Sequence, residues 1–233
     1  SFLNILFLAI ASYIRPSFCL LGIFFYCEFF IYFLRNKNYL RNIFYITLLN
    51  LFLAFPAYYY IFILDVFFIE EGGLSSNYFN KIPIIASIIF FHILPILIYK
   101  KFNLGFNYKH DLGIFILILL SLTLIIKNFD YNINLSGGGI ILHASNFLLD
   151  NNILLFVCYP LFMYFLIKIS IFKNYNNFIL ILILLMITPQ YHIFHKYYDP
   201  LVIILCFTVF NLEINNDFFQ KKRYLFILYS FYV

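Results

Sequence analysis

The densest group of side chains capable of chemistry lies in one short segment, Thr188-Pro-Gln-Tyr-His-Ile-Phe-His-Lys-Tyr-Tyr-Asp-Pro200. It follows one apolar run and precedes another. Lys196 and His195 offer cationic hydrogen-bond donors for a phosphate group. Because Pro189 and Pro200 bracket the segment, an uninterrupted helix is disfavoured on the N-terminal side of each. The segment predicts either an interfacial aromatic belt with a snorkelling lysine or a crown that binds an anionic head group.

The same segment supplies most of the predicted substrate-binding residues. His192, His195 and Asp199 fall at i, i+3 and i+7, so one helix face would present two imidazoles and a carboxylate, which are ordinary zinc or manganese ligands. A divalent metal fits these residue types, but the prolines do not support a continuous helix, so the sequence predicts no metal and no cofactor. The predicted substrate-binding residues are Arg15, Gln190, His192, His195, Lys196, Tyr197 and Asp199.

Arg15 is the second candidate for binding phosphate. It precedes Pro16 in a tight connection between two apolar runs. An arginine at this level can extend its head group to lipid phosphates, which requires no substrate. Its planar guanidinium also suits bidentate binding, so it is equally a candidate clamp for the phosphate or pyrophosphate of a substrate.

The sequence does not identify a catalytic base. Glu70 and Glu71 form an adjacent acidic pair in a predicted outer loop. One interpretation is that one of them is a general base or a metal ligand. The other is that the loop is only solvated. His92 is interpreted as a polar residue that contributes to packing between helices. The run Ser136-Gly-Gly-Gly139 is not followed by Gly-Lys-Ser/Thr, so it predicts a flexible turn and not a P-loop.

Composition determines which elements hold these residues. Of the 233 residues, 64% are hydrophobic and 11% are charged, against about 45–50% and about 25% in ordinary globular domains. A soluble domain of this length cannot bury so much apolar surface, so lipid must be the solvent. This excludes a soluble enzyme, a nucleic-acid-binding domain and a disulfide-stapled secreted module. The predicted fold is all-α, a polytopic transmembrane helix bundle of about eight or nine membrane segments with short loops, in one domain over residues 1–233.

The apolar runs and the basic residues together predict a topology. A helix needs about 20 residues to cross the hydrocarbon core. If the runs cross in strict alternation, most of the 15 basic residues fall in one set of connections, which the positive-inside rule assigns to the cytoplasm. The other connections, at 15–16, 65–81, 127–152 and 190–200, then face the extracytoplasmic side. The runs are 2–14, 17–34, 43–64, 82–99, 112–126, 153–172, 178–194, 201–212 and 224–233.

Three further expectations concern the location of the chain. The stretch 140–149 is apolar but too short to cross, so it either lies along the interface or dips back into the membrane. Because the chain starts at Ser1 and stops inside an apolar run, the sequence predicts a fragment truncated at both ends. The predicted location is a bacterial inner membrane, with a multi-pass protein whose active face is extracytoplasmic.

Three features together resemble multi-spanning glycosyltransferases of the GT-C superfamily, which use lipid-phosphate-linked sugars. The first is Ala11-Ser-Tyr-Ile-Arg-Pro-Ser-Phe18, a short apolar run that ends in Arg-Pro and is followed at once by another. The second is the alternation of short helices with outer loops, and the third is the segment 190–200 before a late helix. The resemblance implies that Arg15, and Lys196 or His195, contact the lipid phosphate. It also implies a catalytic acidic residue in a large outer loop that precedes this chain.

The expected function is transfer of a sugar from a polyprenyl-phosphate donor to a glycan, lipid or protein acceptor, with membrane lipid as a partner and no nucleic acid. One alternative is an O-antigen or exopolysaccharide polymerase, and another is a non-enzymatic flippase or transporter of lipid-linked glycans. A transporter is expected to carry polar groups near the bilayer midplane. The concentration of polar residues at the outer ends favours a one-sided active site. The helix-breaking or polar residues expected at depth are Glu28, Asn50, Pro56, His92 and Pro95.

Overall fold

The computed structural model describes the chain in twelve stretches, and every regular element in them is helical. This confirms the predicted all-α class for the described part of the chain. Arg15, Glu70, Glu71 and Gln190 lie outside the described residues, and for Tyr197 the backbone alone is described. The stretches are 6–7, 10–12, 20–36, 40–59, 63, 77–99, 108–133, 137–171, 175–188, 191–208, 210 and 221–232.

The helices follow the apolar runs of the sequence closely. Most begin or end within a few residues of the run that predicts them, and the short apolar stretch after the glycine run forms a helix of its own. A 3-10 turn over His195–Tyr197 precedes the last two helices. We number the α-helices as α1 (Leu21–Arg35), α2 (Leu40–Tyr58), α3 (Tyr78–Tyr99), α4 (Tyr108–Asn128), α5 (Gly139–Leu149), α6 (Ile153–Ile171), α7 (Tyr175–Met186), α8 (Asp199–Thr208) and α9 (Lys222–Tyr232).

Two helices in the described residues, α3 and α4, are long and apolar enough to cross a membrane. They have 22 and 21 residues, which at about 1.5 Å per residue matches a hydrocarbon core of about 30 Å. Helices α7 and α8 have only 12 and 10 residues, so neither spans that thickness by itself. The count of eight or nine membrane segments therefore stays a prediction.

The chain divides into two compact units, and the single transmembrane domain stays a prediction. Residues 1–76 and 179–191 form one unit, and residues 77–178 and 192–233 form the other. In the first unit, α1 packs against α2. In the second unit, α3 packs against α4, α5, α6, α8 and α9.

Helix α3 is the core of the second unit. Most of its side chains are buried, including Ile84, Ile89 and Ile93 at 0% exposure. It continues through Pro83 and Pro95, although neither proline has a backbone N–H to donate. Because neighbouring helices surround α3, a polar side chain on it must find its partner inside the protein.

Two reciprocal hydrogen bonds join the start of α3 to the end of α4. The Asn80 side chain donates to Asp130 Oδ1, and the Asp130 backbone N–H donates to Asn80 Oδ1 at 3.0 Å. Asn77 Nδ2 also donates to Asp130 Oδ1, at 2.8 Å. These bonds fix residue 130 beside the first turn of α3.

Helix α5 packs beside α3 and α6 in the second unit. Its first residue, Gly139, lies against Ile88, eight residues beyond Asn80 and thus about 12 Å further along α3. Its far end returns to the start of α6, where Ser145 Oγ accepts a hydrogen bond from the Leu154 N–H at 3.0 Å. The segment therefore enters and leaves on the same side of the second unit.

The glycine run before α5 is a packed junction, so the prediction of a flexible turn is wrong. Gly137, Gly138 and Gly139 have φ values of +90°, +105° and +76°, a region that L-residues with a Cβ rarely adopt. A Cβ on Gly137 would lie 2.8 Å from the Ile193 carbonyl oxygen, and one on Gly139 would lie 2.8 Å from Ile88 Cγ1. Glycine is required here because the backbone has a left-handed conformation and its neighbours lie in contact with it.

The described helices expose large apolar side chains on their outer faces. On α2, Leu51 and Phe52 are 69% and 73% exposed, and on α4 Leu117 is 67% exposed. On α6, Val157 is 70% exposed. Exposure of many large apolar side chains is unfavourable in water and is favourable against lipid chains.

Candidate functional site

Two imidazoles and a carboxylate come together in the second unit. His92 Nε2 lies 3.5 Å from Asp199 Oδ1, and the rings of His92 and His195 have centroids 5.0 Å apart. One potential ligand atom from each of the three residues lies within 4.8 Å of the other two. We call these three residues the His–His–Asp cluster.

Each member of the cluster belongs to a different local structure. His92 lies on α3, His195 starts the 3-10 turn, and Asp199 is the first residue of α8. The carboxylate of Asp199 suits this position, because the N-terminal end of a helix carries a partial positive charge. The cluster therefore depends on a turn and a helix start being held against the middle of α3.

Ile193 holds the turn in place through both of its backbone groups. Its N–H donates to the Tyr131 hydroxyl at 3.2 Å, and its carbonyl accepts from the Gly138 N–H at 2.7 Å. The Ile193 side chain is fully buried, as is that of Tyr198 on the other side of the turn. Since residues 193 and 198 are both fixed, the imidazole of His195 between them has little freedom to move away from α3.

The cluster is closed on the side of His92 and open on the side of Asp199. Their side chains are 1% and 51% exposed, respectively. The Phe91 ring, with its centroid 6.1 Å from that of His195, covers part of the second imidazole. Burial lowers the pKa of His195 below its usual value, and the Asp199 carboxylate opposes this shift. In its neutral form the His195 imidazole has a free lone pair on one ring nitrogen, which can accept a proton or bind a metal ion.

The cluster lies beside the second half of α3. His92 is twelve residues beyond Asn80, or about 18 Å along the helix axis. The predicted position of His195 and Asp199 in a crown at the outer ends of apolar runs stays a prediction. The glycine junction helps to fix the cluster beside α3, because Gly139 lies against Ile88 and the Gly138 N–H donates to the Ile193 carbonyl.

The predicted substrate-binding residues are brought together only in part. His195 and Asp199 are in the cluster, whereas the ligand atoms of His192 are not. His192 instead lies against Phe194, with ring centroids 6.1 Å apart, because residues 192–194 are not helical and the predicted i, i+3, i+7 face does not form. Lys196 is exposed, and its Nζ lies 4.9 Å from the centroid of the Phe194 ring.

His92 is the member of the cluster that is absent from the site residues predicted from the sequence. It was interpreted as a polar group in helix packing, yet it is the central member of the cluster. One signal in the sequence points to it, since an ionisable side chain in the middle of an apolar span is a functional candidate by default. Its partners lie more than a hundred residues further along the chain, so no local pattern could identify them.

The arrangement has three chemical capabilities. Two neutral imidazoles and a carboxylate can bind a divalent cation. They can pass a proton between them. Lys196, the next residue after His195, offers an exposed ammonium group that can bind a phosphate.

Comparisons with protein-family models, curated proteins and solved structures return no match to this chain. The function must therefore be inferred from the cluster itself and from the apolar surfaces around it.

Proposed function

We propose that the protein is a multi-pass membrane glycosyltransferase of a bacterial inner membrane, which moves a sugar from a polyprenyl-phosphate donor to a glycan, lipid or protein acceptor on the extracytoplasmic face. The observation that carries the proposal is the convergence of His92, His195 and Asp199 beside the exposed Lys196. These polar groups lie in a unit whose outer faces are apolar. A lipid-linked sugar needs both environments, because its tail partitions into lipid and its phosphate needs polar partners.

The residues of this chain would act on the phosphate end of the donor. During transfer, the bond between the anomeric carbon and the phosphate oxygen breaks, and that oxygen keeps the bonding electrons. The acceptor hydroxyl oxygen forms the new bond to the same carbon and gives its proton to a base. A cation beside the departing phosphate lowers the barrier, since negative charge increases on that oxygen in the transition state. Lys196 has this role in the proposal, and Glu70 or Glu71 stays the sequence's candidate base.

Replacing Lys196 with alanine is expected to lower the rate of sugar transfer by about 10²-fold, the scale of losing one donor to a developing negative charge. The measurement is nucleotide-independent transfer from a polyprenyl-phosphate sugar to a glycan acceptor pool, with the protein in proteoliposomes. Lys109→Ala is the matched control, because Lys109 is an exposed lysine on α4 in the same unit. Membrane insertion should be normal in both variants.

The predicted phosphate contact of Arg15 is tested in the same assay. Arg15→Ala is expected to impair transfer while leaving insertion unchanged, for the same electrostatic reason. Unchanged turnover in both Arg15→Ala and Lys196→Ala would contradict the binding of the donor phosphate by these residues.

A carrier of lipid-linked glycans is the second candidate, and one observation favours it. His92 lies about 18 Å beyond Asn80 along a helix long enough to cross a membrane, and ionisable groups at such depth often mark transport paths. The same proteoliposomes distinguish the two functions. Movement of labelled lipid between leaflets without any sugar transfer would replace the transferase proposal by the carrier.

A further inference from the structure

We propose that His92, His195 and Asp199 form a binding site for one zinc ion. Zinc prefers imidazole nitrogen and carboxylate oxygen ligands, and catalytic zinc sites typically have three protein ligands and one open position. The cluster offers two imidazoles and one carboxylate from three separate elements of the second unit. Zinc binding by these side chains does not depend on the proposed glycosyl transfer.

The distances in the cluster suit an ion better than a direct hydrogen bond. Atoms bonded to a tetrahedral zinc ion at about 2.0–2.2 Å lie about 3.4 Å from one another. His92 Nε2 and Asp199 Oδ1 are 3.5 Å apart, which is longer than the usual 2.7–3.2 Å of an N–H···O hydrogen bond. The three ligand atoms lie within 4.8 Å of one another, so rotations of the side chains can bring all of them to a shared ion.

A second observation points to a ligand beside His195. Its Nδ1 atom is buried and has no hydrogen-bond partner in the described part of the structure. A buried polar atom usually has a partner, because leaving it without one costs about 1–3 kcal/mol. Coordination through one imidazole nitrogen fixes the proton on the other, and a bound zinc ion would thus stabilise this ring in its buried position.

The site also has room for a fourth ligand. Asp199 is half exposed while His92 is closed in, so the open coordination position lies on the side of the carboxylate. With two neutral imidazoles and one carboxylate, a zinc ion gives the site a net charge of +1. An anionic oxygen is therefore favoured as the fourth ligand. The assignment of that oxygen to the phosphate of the sugar donor is the one part of this inference that rests on the proposed function.

Zinc would also remove an electrostatic conflict in that function. The carboxylate of Asp199 would repel a phosphate that approaches His195 and Lys196 directly. A divalent ion between the carboxylate and the phosphate converts this repulsion into attraction on both sides. The presence of Asp199 beside the two imidazoles is thereby explained without assigning it to acid–base chemistry.

The test is zinc binding by the whole chain in nanodiscs, measured after removal of metals by a chelator. Titration with Zn²⁺ should give one bound ion per chain. His195→Asn and Asp199→Asn each remove one ligand and should weaken binding by more than about tenfold, since loss of even an outer-shell partner costs about 10–100-fold. Binding should be retained in His192→Asn, because His192 is three residues from His195 but lies outside the cluster.

Two outcomes would overturn the site. One is the absence of a bound ion in the parent chain, and the other is equal affinity in the parent, His195→Asn and Asp199→Asn. X-ray absorption of the zinc-loaded parent identifies the atoms that coordinate the ion, and this result does not depend on the folding of any variant. Two imidazole ligands and oxygen donors are expected, whereas a shell of sulfur ligands or of oxygen alone would contradict the assignment.

The binding and transfer measurements also separate this inference from the proposed function. If the chain binds one zinc ion, and His195→Asn and Asp199→Asn weaken binding, but no sugar is transferred, the metal site is supported and the transferase is rejected. Sugar transfer by a chain that binds no zinc rejects the metal site and keeps the transferase.

Discussion

Replacing Lys168 with methionine is expected to destabilise the protein by about 3–5 kcal/mol, the range for removing one partner of a buried ion pair. Lys168 Nζ lies 2.8 Å from Asp111 Oδ1, and both side chains are only 2% exposed. The pair joins the last turn of α6 to the first turn of α4. The variant leaves the Asp111 carboxylate beside a neutral side chain in a place that excludes water, which is the cause of the large effect.

The double variant Lys168→Met/Asp111→Leu distinguishes this cause from a general defect in packing. Replacing both partners with apolar groups removes the buried charges together, so most of the lost stability should return. The measurement is the free energy of unfolding in detergent, with Lys127→Met as control because Lys127 is an exposed lysine on α4. A double variant that is less stable than Lys168→Met would count against the ion pair as the source of the effect.

The ion pair also changes how the basic residues are interpreted. The positive-inside pattern assigns Lys168, which lies at the end of the apolar run 153–172, to the cytoplasmic side. The structure shows that its ammonium group is buried against Asp111, with the Tyr164 ring centroid 5.8 Å away. A pattern based on charge alone cannot distinguish a lysine at the membrane surface from one paired between helices, because both have the same spacing from the apolar run.

Replacing Gly137 with alanine is expected to destabilise the second unit by about 2–4 kcal/mol, from a positive φ that disfavours any Cβ and from overlap with packed neighbours. The φ of this glycine is +90°, and a Cβ would lie 2.8 Å from the Ile193 carbonyl oxygen and 2.9 Å from the Tyr131 hydroxyl. Those two groups belong to the junction that holds His195. We therefore expect the same substitution to weaken zinc binding, although Gly137 is not a ligand.

Gly113→Ala is the matched control for this prediction. Gly113 lies inside α4, and a Cβ there would meet no atom within 4 Å. Alanine in a helix interior is more stable than glycine by about 0.5–1 kcal/mol, so this variant should be neutral or slightly stabilised. Thermal unfolding of both variants in detergent provides the comparison. Equal stability of Gly137→Ala and the parent would show that the glycine junction is not packed as described.

Much of the local structure was predictable from the sequence. The apolar runs 82–99 and 112–126 became α3 and α4, because a long apolar stretch in lipid satisfies its backbone groups by forming a helix. The short stretch 140–149 became α5, and its length excluded a crossing. The start of α8 at Asp199 likewise agrees with the proline that follows it, since proline is well tolerated in the first turn of a helix.

Only the part of the candidate site that comes from one short segment, His195 and Asp199, was predictable from the sequence. His195 and Asp199 were identified because they are four residues apart in a polar segment between apolar runs. His192 lies outside the cluster, because the i, i+3, i+7 spacing assumes a helix that residues 192–194 do not form. His92 was interpreted as a packing residue, because periodicity shows which face of a helix is apolar but does not show which distant segment packs against it.

The sequence by itself therefore determined that the described part of the chain is helical and strongly apolar, and it determined which residues carry charge. Both follow from properties of single residues and of short runs, which composition and spacing describe completely. The tertiary structure alone decided that His92 meets His195 and Asp199, that Lys168 is paired with Asp111, and that the glycine run is packed. These are contacts between segments far apart in the chain, and the position of His195 beside α3 depends on left-handed glycines and on two backbone hydrogen bonds of Ile193 that no local pattern specifies.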